Sequence, residues 1–391
     1  MLLREEGRHL RGKRVGLLTN QSGVTADLQR NIEALRAVGV DLRCLYSPEH
    51  GLYGEWTRED VPSGTDPISG LPVWSLYGPT REPTAEILAD IDVILVDLQD
   101  IGTRYYTLLS TVGYVMRAAS EHGPSVLVLD RPNPIGGMLR EGNVLEPRFR
   151  SFVGWASVPV RHGLTLGELA RFTKAEEGLR CDLEVIPMEG WKRSMFWGET
   201  GLPWVPPSPN ATGPEMALLY PGTCLVEGTN LSEGRGTAFP FAWVGAPWID
   251  PGTFAGALNA LALPGLRARP IFFIPTASKH AGARCGGVAL HVTDPLQFRP
   301  VQSGIALLET AHRLWPQHWQ WRADMMDRLI GTDSVRLSID QNEPFVHQSL
   351  SELWEAERAV FAHRVKPYGL YPEDPCGGTT AVLEGDSQQN G

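Results

Sequence analysis

Short apolar runs alternate with helical patterns along the first third of the chain, and this alternation constrains the fold more than any other feature. The apolar runs cover residues 14–20, 41–47, 92–100 and 125–131. Continuous Val, Leu and Ile runs are typical of parallel strands that are covered on both faces. Between them, residues 27–39 and 107–123 carry apolar side chains at helical spacing and stop at Gly39 and Gly123. The sequence therefore predicts an α/β fold with an open parallel sheet and right-handed crossovers.

The alternation continues beyond residue 150, and then the composition changes. Residues 157–163 and 182–188 are further strand candidates, and residues 165–178 predict a helix whose Thr165 and Glu168 form a capping box. Residues 201–222 contain six prolines, which neither a helix interior nor a central strand accommodates. We therefore expect a domain connection there. The division is then an N-terminal domain over residues 1–212, a smaller α+β domain over 213–375 and a mobile tail over 376–391.

The second half is less regular. Residues 270–276 and 286–294 are strand candidates, and residues 303–315 predict a helix. A late helix is predicted to open at Ser349, because Glu352 follows at the spacing of a capping box.

Composition limits the classes of partner and the compartment. The formal net charge of −10 argues against nucleic acid, which needs a basic face to displace counterions. Five scattered cysteines give neither a disulfide framework nor a zinc site. The sequence has no signal peptide and no transmembrane stretch, so the chain as written is expected to be cytoplasmic, and exported if a leader is missing.

Polar and ionisable residues follow every predicted strand of the first half. In open parallel sheets, ligands bind beyond the carboxyl ends of the strands, so these residues are expected to meet at one edge. They are Asn20, Gln21 and Ser22; Glu49 and His50; Asp97, Gln99, Asp100, Arg104 and Tyr105; Asp130, Arg131 and Asn133; and Arg161 and His162.

The chemistry that this edge offers is acid–base chemistry on a sugar. The sequence lacks the GxGxxG, GxxxxGK[ST], HExxH and GxSxG motifs, so we expect no dinucleotide cofactor and no metal. Amides and carboxylates bind sugar hydroxyl groups, and aromatic rings cover the apolar face of a pyranose. Glycoside cleavage needs a proton donor to the leaving oxygen, and Glu49 fits that role.

Two other functions use the same residues. A metal-dependent amidase or deacetylase of cell-wall sugars would use His50 and His162 beside carboxylates. A non-catalytic muropeptide-binding protein would use the same amide and aromatic lining without turnover.

Several phrases, in order, resemble the NamZ family of peptidoglycan exo-β-N-acetylmuramidases. They are GLLTNQSGVT, SPEHGLYG, VDLQDIGTRYYT, VLDRPNPIGG, VRHGLTLGELA, YPGTCLVEGTNLSEGRGT and PFAWVGAPWID. The resemblance implies a Rossmann-like N-terminal domain, a smaller C-terminal domain and a cleft between them. It also implies a glycosidase of cell-wall recycling that acts on peptidoglycan fragments and releases N-acetylmuramic acid from the non-reducing end.

The resemblance also assigns site residues. It implies Glu49 as the acid with His50 as its neighbour, and His50 is its partner or acts in its place. Asp100 is our first choice for the second catalytic group, because it ends a neighbouring strand. Glu227, Glu233 or the substrate's own N-acetyl oxygen are alternatives to Asp100. Arg235 is our candidate for the lactyl carboxylate, since guanidinium pairs with carboxylate bidentately. The strand-end rule adds Asn20 and Gln21 as substrate contacts. The other contacts that the resemblance implies are Arg104, Tyr105, Asp130, Arg131, Asn133, Glu227, Asn230, Ser232 and Glu233.

Overall fold

The structure, a computed structural model, describes residues 2–5 and 7–372, so the tail predicted over 376–391 lies outside the described residues. In chain order the strands are β1 Arg14–Thr19, β2 Asp41–Ser47, β3 Gly64–Thr65, β4 Pro72–Ser75, β5 Val93–Asp97, β6 Ser125–Leu129, β7 Glu141–Val144, β8 Pro159–Arg161, β9 Leu183–Ile186, β10 Trp243–Ala246, β11 Leu266–Phe273 and β12 Cys285–Val292. The helices are α1 Asn31–Ala37, α2 Ala85–Leu88, α3 Leu108–His122, α4 Leu166–Glu176, α5 Pro214–Thr223, α6 Pro251–Ala260, α7 Pro300–Leu314, α8 Ala323–Ile330, α9 Ser334–Asp340, α10 Val346–Leu353 and α11 Glu355–Val365.

A seven-stranded sheet in the order β3-β4-β2-β1-β5-β6-β9 organises the first half. All neighbours pair in parallel except β3 with β4, and every residue of β5 is buried. The predicted α/β fold with a parallel-dominated sheet is therefore confirmed. After β1 the chain adds strands on one side, and from β5 onwards on the other. The strand order thus reverses between β1 and β5, the place where open α/β sheets usually bind ligands.

The second half surrounds a three-stranded antiparallel sheet in the order β10-β12-β11 with helices. Helices α5 and α7 cross with their backbones in contact: a Cβ atom on Gly222 would lie 1.9 Å from the carbonyl oxygen of Pro300. Only glycine permits that approach. The smaller α+β part is confirmed.

Three local predictions need correction. The strand expected over 157–163 does not join the large sheet, because β8 pairs antiparallel with β7 instead. The proline-rich stretch over 201–222 ends in helix α5, which begins at Pro214 and includes Pro221 in its last turn. Ser349 does not open a helix, since α10 already begins at Val346 and a break at Trp354 separates it from α11.

The capping box of α4 is confirmed, and the far end of the chain packs against it. The Thr165 side chain accepts from the Glu168 N–H, and the Glu168 side chain accepts from the Thr165 N–H. The Leu370 N–H donates to Glu168 at 2.8 Å, and the Tyr371 hydroxyl donates to Asp130 at 2.7 Å. We call residues 369–371 the C-terminal strap, because they tie the end of the described chain to the first half.

Within the described residues, no helix is long and apolar enough to cross a bilayer. Cys44, Cys181, Cys224 and Cys285 are buried free thiols; Cys376 lies outside the described part.

Candidate active site

Glu49 sits on a sharply shaped turn directly after β2. His50 and Gly51 both take left-handed backbone conformations, with φ of 73° and 81°. A left-handed histidine costs on the order of 1–2 kcal/mol, so the surrounding structure must hold the turn in place. The ring of His50 helps, because its Nδ1–H donates to the carbonyl oxygen of Trp56 at 2.7 Å. Nδ1 therefore carries the proton of the neutral ring, and Nε2 remains an acceptor.

Glu49 is half-buried and faces the segment that leads into α3. Its Oε2 atom accepts a hydrogen bond from the Thr107 hydroxyl. Tyr77 lies on another side: burial raises the pKa of this tyrosine, and the Glu49 carboxylate raises it further. Glu49 thus accepts a hydrogen bond from Thr107 and lies near Tyr77, both neutral side chains, and it forms no ion pair with a cation within the described residues.

Asp100 follows β5 and is buried, with 5% of its surface exposed. Its Oδ2 atom accepts from the Gly102 N–H at 2.7 Å, whereas Oδ1 has no hydrogen-bond partner in the described structure. Burial raises the pKa of Asp100 to about 7. A carboxyl group of this kind changes protonation state near neutral pH, which is a common property of catalytic acids and bases.

Tyr106 lies near the two carboxyl groups, without a hydrogen bond to either. Burial raises the pKa of its phenol, Ser208 opposes that rise, and the nearby carboxylates of Asp100 and Glu49 add to it. Tyr106 therefore stays protonated beside both acids. We call Glu49, Asp100 and Tyr106 the acid–tyrosine cluster. It contains a half-buried acid, a buried acid and a neutral hydroxyl, which together suit proton transfer to and from an oxygen.

Aromatic contacts join this cluster to the second half of the chain. The Tyr106 ring lies 6.0 Å from that of Tyr220, which lies 4.8 Å from Phe241. The Arg235 guanidinium is 4.9 Å from the centre of the Phe241 ring. The loop around Arg235 is therefore linked to Tyr106 through two intervening rings, those of Tyr220 and Phe241.

Arg235 belongs to a charge network made of Glu227, Glu233, Arg235 and Lys279. Two Arg235 nitrogens donate to Glu227 Oε1 at 3.0 and 2.7 Å, and Lys279 Nζ lies 3.0 Å from Glu233. Burial alone would raise the pKa of Glu233, but Lys279 outweighs it and lowers that pKa below its usual range. Glu233 is therefore an ionised, paired carboxylate rather than a proton donor.

Several residues expected to contact substrate are committed to the backbone instead. Arg104 is fully buried, and its Nη atoms donate to the carbonyl oxygens of residues 143, 158, 329 and 330. The Tyr105 hydroxyl donates to the Pro221 carbonyl. Asn133 bridges the Leu164 carbonyl and the Ile135 N–H. These three side chains hold the two halves and their loops together, so the structure does not offer them to a saccharide.

Other predicted contacts also have structural partners. Asp130 accepts from the Thr165 and Tyr371 hydroxyls and from the N–H groups of residues 131 and 167. Ser232 accepts from the Gly234 N–H, and Asn230 bonds the backbone of residues 318 and 320. All three positions brace loops.

Asn20 and Gln21 act on the site indirectly. Their side-chain nitrogens donate to the carbonyl oxygens of Pro207 at 3.1 Å and Pro206 at 2.8 Å. They therefore fix the segment that carries Ser208, the neighbour of Tyr106.

Arg131 faces a different part of the sheet edge. It forms a two-point ion pair with Asp97, at 2.6 and 3.1 Å. Both residues line a cavity of about 680 Å³ whose walls also include Leu35 and Trp191. None of the three predicted catalytic residues lines this cavity. The acid–tyrosine cluster, which holds the predicted acid Glu49 and the buried Asp100, is the candidate saccharide site.

The predicted site residues did not include Tyr77, Tyr106 and Thr107, and His162 was not among the predicted catalytic residues. The signal for two of them lay next to a chosen residue, since the GTRYYT phrase contains Tyr106 and Thr107 immediately after Tyr105. No group of three or more His, Cys, Asp or Glu side chains in the described residues has the arrangement of a metal site.

The fold and site define a two-part α/β enzyme with a carboxyl and tyrosine centre at the edge of a parallel sheet. Two family models cover nearly the whole chain: "Exo-beta-N-acetylmuramidase NamZ, N-terminal" matches residues 15–215, and the corresponding C-terminal model matches residues 218–371. The chain belongs to the NamZ family.

Relatives agree with this assignment. The "Peptidoglycan beta-N-acetylmuramidase NamZ" of Bacillus subtilis (strain 168) is 41% identical over 373 residues, which cover 95% of this chain and 90% of that protein. Two crystal structures of DUF1343 family proteins from Bacteroides fragilis NCTC 9343 cover 95% of this chain and 97% of theirs. Their TM-scores are 0.88 and 0.77, at 37% and 26% identity.

Proposed function

We propose that this protein is an exo-β-N-acetylmuramidase, a glycosidase that releases N-acetylmuramic acid from the non-reducing end of peptidoglycan fragments. The observation that carries the proposal is the match of both halves of one enzyme family, in order, over residues 15–371. The 41% identity to the Bacillus subtilis muramidase supports the same substrate class.

Glu49 is the proton donor to the leaving oxygen in this proposal. It is the more exposed of the two clustered acids, and its hydrogen bond from Thr107 fixes one oxygen. The other oxygen is then available to the glycosidic oxygen of a bound sugar.

Asp100 is the second group, and its burial favours a polarising role over direct attack. A nucleophile must approach the anomeric carbon to bonding distance along a single line of attack, whereas a polarising carboxylate needs only one hydrogen bond to the substrate, so Asp100, 5% exposed and tethered to the Gly102 N–H, fits the second role better. We therefore assign the attack to the substrate's own acetamido oxygen. Ionised Asp100 would accept from the acetamido N–H and strengthen that oxygen.

The steps then balance without a cofactor. The acetamido oxygen bonds to the anomeric carbon while the glycosidic C–O bond breaks and the leaving oxygen takes the proton of Glu49. Water next adds to the anomeric carbon, the bond to the acetamido oxygen breaks, and the Glu49 carboxylate takes the proton of the water. Tyr106 stays protonated throughout and donates to a substrate oxygen.

We propose that Arg235 binds the lactyl carboxylate, the group that distinguishes a muramide from a glucosaminide. Its guanidinium already has an orienting partner in Glu227, and its third nitrogen, Nη1, bonds no acceptor among the described residues. That nitrogen is free for a substrate carboxylate.

The test uses a chromogenic β-N-acetylmuramide and the matching β-N-acetylglucosaminide. We expect release from the muramide and little or none from the glucosaminide. Absence of release from either substrate by folded protein at high concentration would contradict the activity. Release from the glucosaminide alone would reject the muramic-acid selectivity.

A second substrate pair tests the nucleophile. Replacing N-acetyl by N-trifluoroacetyl weakens the attacking oxygen, so we expect a large fall in kcat. An unchanged kcat would refute attack by the acetamido oxygen and would indicate attack by a protein carboxylate or by water.

A further inference from the structure

His162 lies directly after β8 and is almost completely buried, with 1% of its surface exposed. Its Nδ1 atom accepts a hydrogen bond from the Leu164 N–H at 3.1 Å. A ring nitrogen that accepts a backbone N–H cannot carry a proton, so the proton of the neutral ring is on Nε2. The backbone therefore fixes which end of the imidazole is a donor.

That donor points toward Asp100 and has no other acceptor. Nε2 of His162 lies 3.8 Å from Oδ2 of Asp100, and it has no hydrogen-bond partner within the described residues. Leaving a buried polar group unpaired is unfavourable by about 1–3 kcal/mol. The separation is too long for a hydrogen bond, and a movement of roughly 0.8 Å would bring it to about 3.0 Å.

The surrounding charges keep the ring neutral. Burial lowers the pKa of His162 to about 3, and the cations of Arg140, Arg104 and Arg161 act in the same direction. The groups that face Asp100 are the Tyr106 phenol and, from its own loop, the backbone N–H groups of residues 101 and 102. No cationic side chain of the described residues lies within ion-pairing distance of Asp100 other than, if protonated, His162 itself.

We propose that His162 is a positioning residue of the active site, whose Nε2–H donates to Asp100 Oδ2 when Asp100 ionises and so holds Oδ1 toward the substrate. This inference rests on the proposed role of Asp100 as the polarising carboxylate. The 3.8 Å separation in the structure leaves this hydrogen bond unformed. Ionisation makes Oδ2 a stronger acceptor and draws the two side chains together.

The experiment compares two substitutions of similar size. His162→Met removes the donor, whereas His162→Gln keeps an N–H group near the position of Nε2. The pH dependence of kcat/KM is measured for each with the chromogenic β-N-acetylmuramide. Loss of a donor to a carboxylate disfavours the ionised form, so the acidic limb of the His162→Met profile should move up by about one pH unit. Its kcat at pH 6 should fall by about tenfold, which follows from the same shift, with KM nearly unchanged.

His162→Gln should restore the acidic limb of the wild-type protein. A His162→Met profile that coincides with that of the wild type would overturn the proposal, even if the variant were less stable. A His162→Gln profile displaced as far as that of His162→Met would overturn it as well.

Two further measurements keep the outcomes separable. If Asp100→Asn retained wild-type activity, the catalytic role of Asp100 would fail and the inference with it. If Asp100→Asn were inactive while the His162→Met profile were unchanged, only the inference would fail.

Nitrogen NMR of the full wild-type chain needs no substitution at His162. We expect an Nε2–H tautomer whose shift changes with a midpoint near pH 7 and loses that change in Asp100→Asn. An Nδ1–H tautomer, or the absence of that midpoint, would refute the proposal.

Discussion

Replacing Asp100 by asparagine should stabilise the protein at alkaline pH while it abolishes catalysis. Burial raises the pKa of Asp100 from 3.8 to about 7. Because one pKa unit corresponds to 1.36 kcal/mol, ionising the buried group destabilises the folded state by up to about 4 kcal/mol. Asparagine keeps an oxygen for the Gly102 N–H and carries no charge. We expect Asp100→Asn to raise the free energy of unfolding by about 2–4 kcal/mol at pH 8.

Burial of Asp100 makes the free energy of unfolding of the wild-type protein fall as the pH rises. The folded-state pKa lies above the unfolded one, so the stability that neutral Asp100 allows is fully present below pH 3.8 and is lost as the pH rises through about 7. The difference in the free energy of unfolding between Asp100→Asn and wild type should therefore be near zero at pH 4 and largest above pH 7. Urea unfolding of both proteins from pH 4 to 8 measures it.

Asp130→Asn is the matched control. Asp130 is also buried, and burial raises its pKa to about 6, but its oxygens accept four hydrogen bonds. The NH2 group of asparagine would meet hydrogen-bond donors and offer them no acceptor. We therefore expect this variant to be destabilised by about 1–3 kcal/mol at pH 8. If Asp100→Asn were also destabilised at pH 8, or if its gain did not depend on pH, the reasoning about Asp100 would be refuted.

Three other predictions concern neighbouring residues. Glu49→Gln should lower kcat about 10²–10⁴-fold, the usual contribution of a general acid, without changing the urea midpoint; turnover close to wild type would reject the assignment. Arg235→Ala should raise KM for muramides more than for glucosaminides, with Glu227→Gln as the control for loss of the ion pair alone; equal effects on both substrates would leave Arg235 a structural role. Arg104→Met should lower the free energy of unfolding by about 2–4 kcal/mol, because several buried carbonyl groups lose their donors; a change in KM with unchanged stability would contradict that role.

Much of the first half could be predicted because strand burial leaves a direct trace in sequence. The predicted runs over residues 14–20, 41–47, 92–100 and 125–131 carry closely spaced apolar side chains, and each contains a parallel strand of the large sheet. The run before His162 has the same appearance but pairs with β7. A local pattern does not reveal which partner a short strand finds, because pairing depends on contacts distant in sequence.

The candidate site was predictable at the level of segments and less so at the level of side chains. The strand-end rule selected the Glu49 turn and the Asp100 loop. It also selected Tyr105, whose hydroxyl contacts Pro221, rather than Tyr106, which lies beside the two acids. Adjacent residues in a turn point in different directions, and composition does not specify which one faces the ligand.

Arg104 shows the same limit in a different form. An arginine near predicted catalytic residues suggests an anion contact, yet its acceptors are carbonyl oxygens as far away in sequence as Ile330. Only the tertiary structure brings those carbonyls together, so no local pattern indicates that the guanidinium is a structural donor.

The C-terminal strap has a consequence for engineering. Leu370 and Tyr371 supply hydrogen bonds to Glu168 and Asp130, so the first half relies on atoms encoded about 200 residues later. A chimera that joins this first half to the second half of a relative should retain residues 369–371, or the residues that accept their hydrogen bonds should be replaced together with them. Likewise, an affinity tag or fusion partner should be attached beyond this point with a spacer, so that its attachment does not pull the tyrosine away from its aspartate.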